Sequence, residues 1–123
     1  MDKNTNLTRD FKWIEFWCQG QEPPMEYYDN IMELAHKLQI LRDWFRKPII
    51  ITSGWRTPEH NKKVGGAKNS QHLYGKAADI KMVGVSTKDL LTIAKKMKLF
   101  KGIGYSPNFL HVDTRDKQAY WNY

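Results

Sequence analysis

The change in apolar spacing at Pro48 constrains the fold of this chain more than any other feature of its sequence. Before the proline, apolar residues recur at steps of three and four, which predicts a helix over residues 27–45 with one buried stripe. The stripe consists of Ile31, Leu34, Ala35, Leu38, Leu41 and Phe45. After the proline, the β-branched run over residues 49–52 predicts a buried strand. The chain must therefore combine helix and strand.

Local signals place the elements that follow this strand. Thr57 before Pro58 is typical of a helix start. Ser86 with Asp89 three residues later indicates the start of another helix. Alternation and β-branched content predict three further strands, over residues 76–82, 102–105 and 109–114. The last two should form an antiparallel hairpin, because a Pro-Asn turn signal separates them.

The opening segment is predicted to be a short helix, because Phe11, Ile14 and Trp17 recur at helical spacing before Gly20. With 123 residues the chain is long enough for one compact core and too short for two. We therefore expect a single α+β domain over residues 1–123, with a small, mostly antiparallel sheet and helices packed on it. Residues 1–22 are expected to form a peripheral N-terminal segment.

Charge and cysteine content limit the partners and the compartment. Twenty Lys and Arg against 13 Asp and Glu give a formal charge of +7, which favours an anionic partner. The densest lysine group, over residues 95–101, lies at the end of a predicted helix, where cations complement the helix dipole, so nucleic acid is not expected. Cys18 has no partner for an internal disulfide. No apolar run is long enough for a membrane span or a signal peptide.

Three residues form a candidate metal site: His72, Asp79 and His111. Alternation in the strand over residues 76–82 places Asp79 on one face while Ala78 and Ile80 face the core. Two imidazoles and one carboxylate are the ligand count of a hydrolytic zinc site that keeps one position open for water. We therefore expect one Zn²⁺ ion in a surface cleft.

Further residues near this site are candidates for catalysis and substrate binding. Asp113 follows His111 on the same strand face, so it can serve either as a general base or as a partner that orients the histidine. Arg56, just beyond a strand end, can bind a substrate carboxylate or the developing oxyanion, or form a structural ion pair. Ser70 and Gln71 can hydrogen-bond the substrate backbone or only shape the loop.

The motif residues Ser70-x-His72, Gly75 and Asp79, followed by His111-x-Asp113, give the chain a family resemblance. It resembles the zinc D-alanyl-D-alanine carboxypeptidases and related cell-wall endopeptidases, including many phage lysins, over about residues 48–115. The resemblance implies a zinc metallopeptidase that hydrolyses peptide bonds in peptidoglycan stem peptides through a metal-activated water. It also implies metal ligation by the two histidines and Asp79, and an arginine near the substrate at Arg56.

One position departs from the pattern of that family. Many members carry Glu or Asp three residues before the last histidine, where it serves as the base, but Asn108 stands there and an amide cannot accept the proton. The resemblance to the branch that ends in His-x-Asp would make Asp113 the base. The alternative is a catalytically inactive, zinc-containing module that binds the cell wall.

The resemblance also carries expectations about setting and specificity. It implies a D,D-carboxypeptidase or a murein endopeptidase, and the sequence leaves this choice open. We expect a monomer without a signal peptide, made in the cytoplasm and acting on the bacterial cell wall. A phage origin, with release by a holin or transport on a virion, fits these expectations.

Overall fold

The computed structural model describes all 123 residues, and its N-terminal segment differs from the prediction. Instead of one short helix, it forms strands β1 (Asn6–Thr8) and β2 (Phe11–Lys12), paired antiparallel, and a 3-10 helix over Trp13–Phe16. The physical reason is a different burial spacing: the side chains of Phe11, Trp13 and Phe16 are buried, whereas Ile14, counted in the predicted stripe, is 38% exposed.

The N-terminal segment also belongs to the hydrophobic core, contrary to the peripheral position expected for residues 1–22. Leu7, Phe11, Trp13 and Phe16 are members of the main buried cluster. The backbone N–H of Trp55 donates to the carbonyl oxygen of Phe16 at 3.0 Å, so the segment is tied to the chain just after strand β3.

Helix α1 (Tyr28–Phe45) confirms the helix predicted from apolar spacing. Five of the six predicted stripe residues are buried in it, and Phe45 is partly buried: the five are Ile31, Leu34, Ala35, Leu38 and Leu41. The helix ends at Arg46, which adopts the left-handed conformation with φ 55° just before Pro48. The stripe packs this helix on the rest of the core.

Five strands form the main sheet, in the order β3-β4-β6-β5-β7. Their bounds are β3 (Ile49–Ser53), β4 (Ala77–Met82), β5 (Gly102–Ser106), β6 (Phe109–Asp113) and β7 (Ala119–Asn122). All neighbouring pairs are antiparallel except β5 and β7, which are parallel. The predicted α+β class, the mostly antiparallel sheet and the β5–β6 hairpin are thus confirmed, whereas β7 was not predicted.

Two more helices complete the fold, and both begin where side-chain caps were predicted. Helix α2 (Pro58–Lys63) follows Thr57, whose hydroxyl accepts the His60 backbone N–H at 3.1 Å. Helix α3 (Thr87–Met97) follows Ser86, whose hydroxyl accepts the Asp89 backbone N–H at 3.1 Å. Such caps satisfy backbone donors that have no partner within the helix.

The core lies on one face of the sheet. Ala78, Ile80 and Met82 of β4 join the buried cluster that also contains residues of α1 and α3. Because side chains alternate along a strand, Asp79 lies on the opposite face. None of the helices is both long enough and apolar enough to cross a membrane.

Candidate metal centre

The register of strands β4 and β6 places two of the predicted ligands side by side. Asp79 and His111 are directly paired across the two strands, and Ala77 is paired with Asp113. His72 comes from a 3-10 helix over Gln71–Tyr74, which connects toward β4. The structure therefore brings together all three predicted ligand residues, each of them buried.

The possible ligand atoms converge on one point. One ligand atom from each of the three residues lies within 4.8 Å of the other two. The distance from Asp79 Oδ1 is 3.3 Å to His72 Nε2 and 3.1 Å to His111 Nδ1. Two ligands of a tetrahedral zinc ion, each about 2.0–2.2 Å from the metal, are themselves roughly 3.3–3.6 Å apart. The separations therefore suit a small tetrahedral cation.

Hydrogen bonds to the far side of each imidazole select the nitrogen that faces this point. His72 Nδ1 lies 2.7 Å from the carbonyl oxygen of Gly54, so it must carry the proton and donate it. His111 Nε2 lies 2.7 Å from Asp113 Oδ2 and donates to that carboxylate. With these protons in place, His72 Nε2 and His111 Nδ1 are the nitrogens that face Asp79, which is how metal-binding histidines are usually held. His111 Nδ1 also lies within hydrogen-bonding distance of Asp79 Oδ1, at 3.1 Å, and a metal would replace that contact.

The electrostatics of His72 and Asp79 also fit a cation, whereas those of His111 require a proton to be displaced. Although burial opposes the charged ring, hydrogen bonds with Asp113 and Asp79 raise the pKa of His111, so a metal would have to replace a proton there. His72 Nε2 is buried without a hydrogen-bond partner, because its 3.3 Å approach to Asp79 lacks hydrogen-bond geometry. Burial lowers the pKa of His72, which favours the neutral imidazole that a metal requires. Burial opposes ionisation of Asp79, but the neighbouring rings of His111 and His72 hold its pKa well below the ordinary range. Lone pairs that face one another are unfavourable unless a cation lies between them.

Asp113 is enclosed behind His111 and does not line the cleft. Its side chain is 0% exposed, and both of its oxygens are hydrogen-bonded. Oδ2 accepts from His111 and from Arg115 Nη2 at 2.7 Å, while Oδ1 accepts from Arg115 Nε at 2.8 Å and from the Arg115 backbone at 3.1 Å. Although burial favours the neutral acid, the bonds from Arg115 and His111 lower the pKa of Asp113.

Gly102 makes room for this carboxylate. It is paired with Asp113 across strands β5 and β6, and a Cβ atom at this position would lie 2.0 Å from Asp113 Oδ1. That distance is far shorter than any real contact, and the carboxylate is held on all sides. Only glycine at position 102 therefore allows Asp113 to adopt its position beneath His111.

Arg56 lies on the other side of Asp79, just after strand β3. Its Nη2 donates to Asp79 Oδ2 at 3.2 Å, its Nε to Ser53 at 3.0 Å and its Nη1 to Asn61 Oδ1 at 3.2 Å. Asn61 is itself fixed by donating to the Ala67 carbonyl oxygen at 2.9 Å. The guanidinium thus fixes one oxygen of Asp79 and leaves the other free to face the two histidines.

The remaining predicted residues take different positions. The hydroxyl of Ser70 accepts the backbone N–H of His72 at 3.2 Å, so it caps the 3-10 helix, and Ser70 also lines the cleft. Gln71 lines the cleft with no hydrogen bond from its side chain to the protein. Asn108 is exposed in the β5–β6 turn and is not among the residues that line the cleft.

The cleft above the candidate metal site has a volume of about 580 Å³. Its lining includes three residues that the sequence analysis did not single out: Arg115, Trp121 and Tyr123. Trp121 and Tyr123 are brought there by strand β7, and the His111 and Trp121 rings have centroids 5.1 Å apart. The concentration of aromatic residues in the last four positions was the available signal for these two residues.

An α+β domain with a buried His-Asp-His set at the base of an open cleft has the arrangement of a metal-dependent hydrolase. Sequence comparison gives a particular family. A sequence model described as Peptidase M15 matches residues 7–113, and the chain belongs to that family.

Several curated proteins are similar to this chain. A zinc D-Ala-D-Ala carboxypeptidase of Streptomyces albus G is 38% identical over 65 residues, which cover 52% of this chain and 26% of that protein. The peptidoglycan L,D-endopeptidase MepK of Escherichia coli K12 is 36% identical over 76 residues, covering 56% of this chain and 41% of that protein. A probable MepK of Haemophilus influenzae is 32% identical over 92 residues, covering 69% and 49%. The chain thus spans from a quarter to half the length of these relatives.

Proposed function

We propose that this protein is a zinc-dependent peptidase that hydrolyses peptide bonds in peptidoglycan stem peptides. The observation that carries the proposal is the convergence of His72, Asp79 and His111 on one point at the base of the cleft. Membership of the Peptidase M15 family supports the reaction type. The printed names of the curated relatives, a zinc carboxypeptidase and peptidoglycan endopeptidases, support zinc as the metal and peptidoglycan as the substrate.

The proposed chemistry divides between the metal and the side chains. A zinc ion bound at such a site polarises a carbonyl group and lowers the pKa of water to near 7. With zinc bound, His72 Nε2 and His111 Nδ1 would be the unprotonated ligand nitrogens, and Asp79 would supply the single ligand charge. Gln71 lines the cleft with a free amide, so it is the better candidate than Ser70 to hydrogen-bond the substrate backbone.

For Asp113, the contacts favour the orienting role over that of general base. A base must reach the reacting water and have a pKa near the working pH. Asp113 is fully enclosed, its oxygens are occupied by His111 and Arg115, and its pKa is lowered. We therefore infer that Asp113 is a positioning residue, which fixes the ring of His111 and the nitrogen that it presents.

Arg56 retains the two roles expected for it. Three of its N–H groups bind Ser53, Asn61 and Asp79, and two of the five in a guanidinium remain for an oxyanion or a carboxylate. Its side chain is 13% exposed and lines the cleft. The same residue can thus hold Asp79 in place and contact the substrate.

The direct test measures zinc content and digestion of purified peptidoglycan. The wild-type protein should bind one zinc ion and release soluble muropeptides. His72→Ala should lose both properties, whereas His36→Ala, which changes an exposed histidine of helix α1, should keep both. Absence of zinc and unchanged muropeptides in the wild type would refute the proposal.

A second candidate function is a zinc-containing module that binds the cell wall without cleaving it. One observation favours it: apart from the three candidate ligands, no carboxylate or histidine side chain lines the cleft. This module would bind zinc and sediment with peptidoglycan, yet the wild type would release nothing from it. Mass spectrometry of defined muropeptides after incubation separates the two functions.

The same measurement addresses which bond is cleaved. Release of free D-Ala would identify a D,D-carboxypeptidase, and release of larger fragments a murein endopeptidase. We further propose that the protein acts on the bacterial cell wall as a monomer, and size-exclusion chromatography with light scattering tests the monomeric state.

A further inference from the structure

Arg115 is a second arginine at the cleft, and it has more free donors than Arg56. Its Nε and Nη2 each donate to Asp113, while neither proton of Nη1 takes part in a hydrogen bond to the protein. The Arg115 side chain is 29% exposed, compared with 13% for Arg56. Because Arg115 also lines the cleft, Nη1 is available to a ligand there.

The position of Arg115 is fixed from two sides. The fork formed by Nε and Nη2 meets the enclosed carboxylate of Asp113, and the guanidinium carbon lies 4.9 Å from the centroid of the Trp121 ring. A guanidinium on an aromatic face is a stable arrangement. A cation held in this way loses little freedom when it binds an anion, which increases affinity.

Aromatic residues beside Arg115 form a wall on the β7 side of the cleft. The ring centroids of Trp121 and Tyr123 are 6.1 Å apart, and those of Phe109 and Tyr123 are 5.2 Å apart. Gly104 allows Trp121 to approach the sheet, since a Cβ atom there would lie 2.6 Å from the indole ring. This wall can cover the apolar part of a ligand whose charged group reaches Arg115.

The sheet order separates the two arginines. Arg56 follows β3, at one edge of the sheet, and Trp121 beside Arg115 belongs to β7, at the other edge. Asp79 on β4 and His111 on β6 therefore lie between the two arginines. A peptide bound across the candidate metal site would meet a different arginine at each end.

From this geometry we propose that Arg115, Trp121 and Tyr123 form a subsite that recognises a free carboxylate of the substrate on the β7 side of the metal. The subsite would make the enzyme select stem peptides by a carboxylate near the cleaved bond, independently of the contact with Arg56. This inference rests on the peptidase function proposed above, because it takes a stem peptide as the ligand.

The test uses matched synthetic stem peptides in which one carboxylate at a time is converted to a carboxamide. For the zinc-loaded wild type, one such conversion should reduce kcat/KM about tenfold or more, the size expected for loss of a charge-assisted hydrogen bond. Binding is measured separately by calorimetry, with peptides made resistant to hydrolysis by N-methylation of the backbone. The same carboxamide should weaken their binding by a similar factor.

Variants assign the effect to Arg115. In Arg115→Gln the preference for the carboxylate should fall to near one, and in Arg115→Lys, which keeps a charge beside Asp113, it should be reduced. Arg56→Lys should leave the preference at that carboxylate unchanged. Zinc content and circular dichroism verify that each variant is folded. If Arg115→Gln loses zinc, the carboxylate preference of the wild type and of Arg115→Lys still tests the subsite.

Two results would overturn the subsite: equal binding of the carboxylate and carboxamide peptides by the wild type, or a preference that Arg115→Lys and Arg115→Gln both retain. Failure of the peptidase function gives a different pattern. In that case neither peptide is cleaved, while the binding preference and its dependence on Arg115 persist.

Discussion

Replacing Asp113 by asparagine separates the two roles considered for this carboxylate. The side chain keeps its shape, but one of its two acceptor oxygens becomes an N–H₂ donor and the charge is lost. In the wild type, both oxygens accept hydrogen bonds, from His111 and from three N–H groups of Arg115. Asparagine can continue to accept on one side only, so a donor must face a donor on the other.

The magnitude follows from these contacts. A hydrogen bond to a charged group is worth roughly 1.5–3 kcal/mol and a neutral one roughly 0.5–1.5, so each retained bond weakens by about 1 kcal/mol. Loss of the charged acceptor for His111 and of one contact with Arg115 gives roughly 2–3 kcal/mol. Part of this weakens the hold on the metal ligand, and we expect zinc affinity to fall about 10- to 100-fold, as is usual for partners of metal-binding histidines.

The assay is a zinc titration against a chromogenic chelator, combined with turnover at saturating zinc. If Asp113 orients His111, Asp113→Asn should weaken zinc binding, and excess zinc should restore much of the activity. Asp116→Asn, the same change at an exposed position of the following loop, should affect neither. Unchanged zinc affinity together with a large loss of kcat at saturating zinc would refute the orienting role and support a general base.

Three further predictions test the same structure. Gly102→Ala should reproduce the loss of zinc affinity without touching the cleft, because its Cβ displaces Asp113, and should destabilise the fold by roughly 1–3 kcal/mol in denaturant titrations; wild-type affinity would contradict this. Phe16→Ala should lower the free energy of unfolding by roughly 3–5 kcal/mol, and Ile14→Ala should lower it much less, because only Phe16 is buried. Equal losses would show that the N-terminal segment is not part of the core. Zinc at a hundredfold excess over its Kd should stabilise the native state by about 2.7 kcal/mol, which is roughly 10 °C in calorimetric Tm; a Tm insensitive to zinc would exclude binding specific to the native state.

The elements predicted correctly are those with strong local signals. Apolar spacing identified helix α1, Thr57 and Ser86 identified the starts of α2 and α3, and alternation placed Asp79 opposite the core residues of β4. Among the candidate ligands, Asp79 and His111 lie on strands, where alternation determines which face a side chain occupies. His72 lies in a 3-10 helix and was singled out by its residue type and motif spacing. These features depend on residues close in sequence.

The wrong or missing predictions have two causes. Some features depend on contacts between residues distant in sequence, and in the N-terminal segment the apolar spacing is compatible with more than one secondary structure. Strand β7 has four residues and is held by parallel pairing with β5, in which Trp121 lies opposite Gly104, a contact no local pattern encodes. At the N-terminus, three apolar residues at helical spacing were too few to exclude other structures. The enclosure of Asp113 was equally hidden, since it depends on Gly102 across the sheet and on the side-chain conformation of Arg115.

His111 lies between two carboxylates, and the charges around it explain why these carboxylates need not cancel the charge of a bound metal ion. His111 has Asp79 beside Nδ1 and Asp113 beside Nε2, and each of these carboxylates also binds an arginine, Arg56 or Arg115. The two negative charges are thereby balanced within the protein. A divalent ion bound by Asp79 and the two histidines would therefore keep a net positive charge toward the substrate, which strengthens its effect on a carbonyl group. The arginine of each pair also faces the cleft, so the groups that balance the carboxylates are the same groups that attract an anionic peptide.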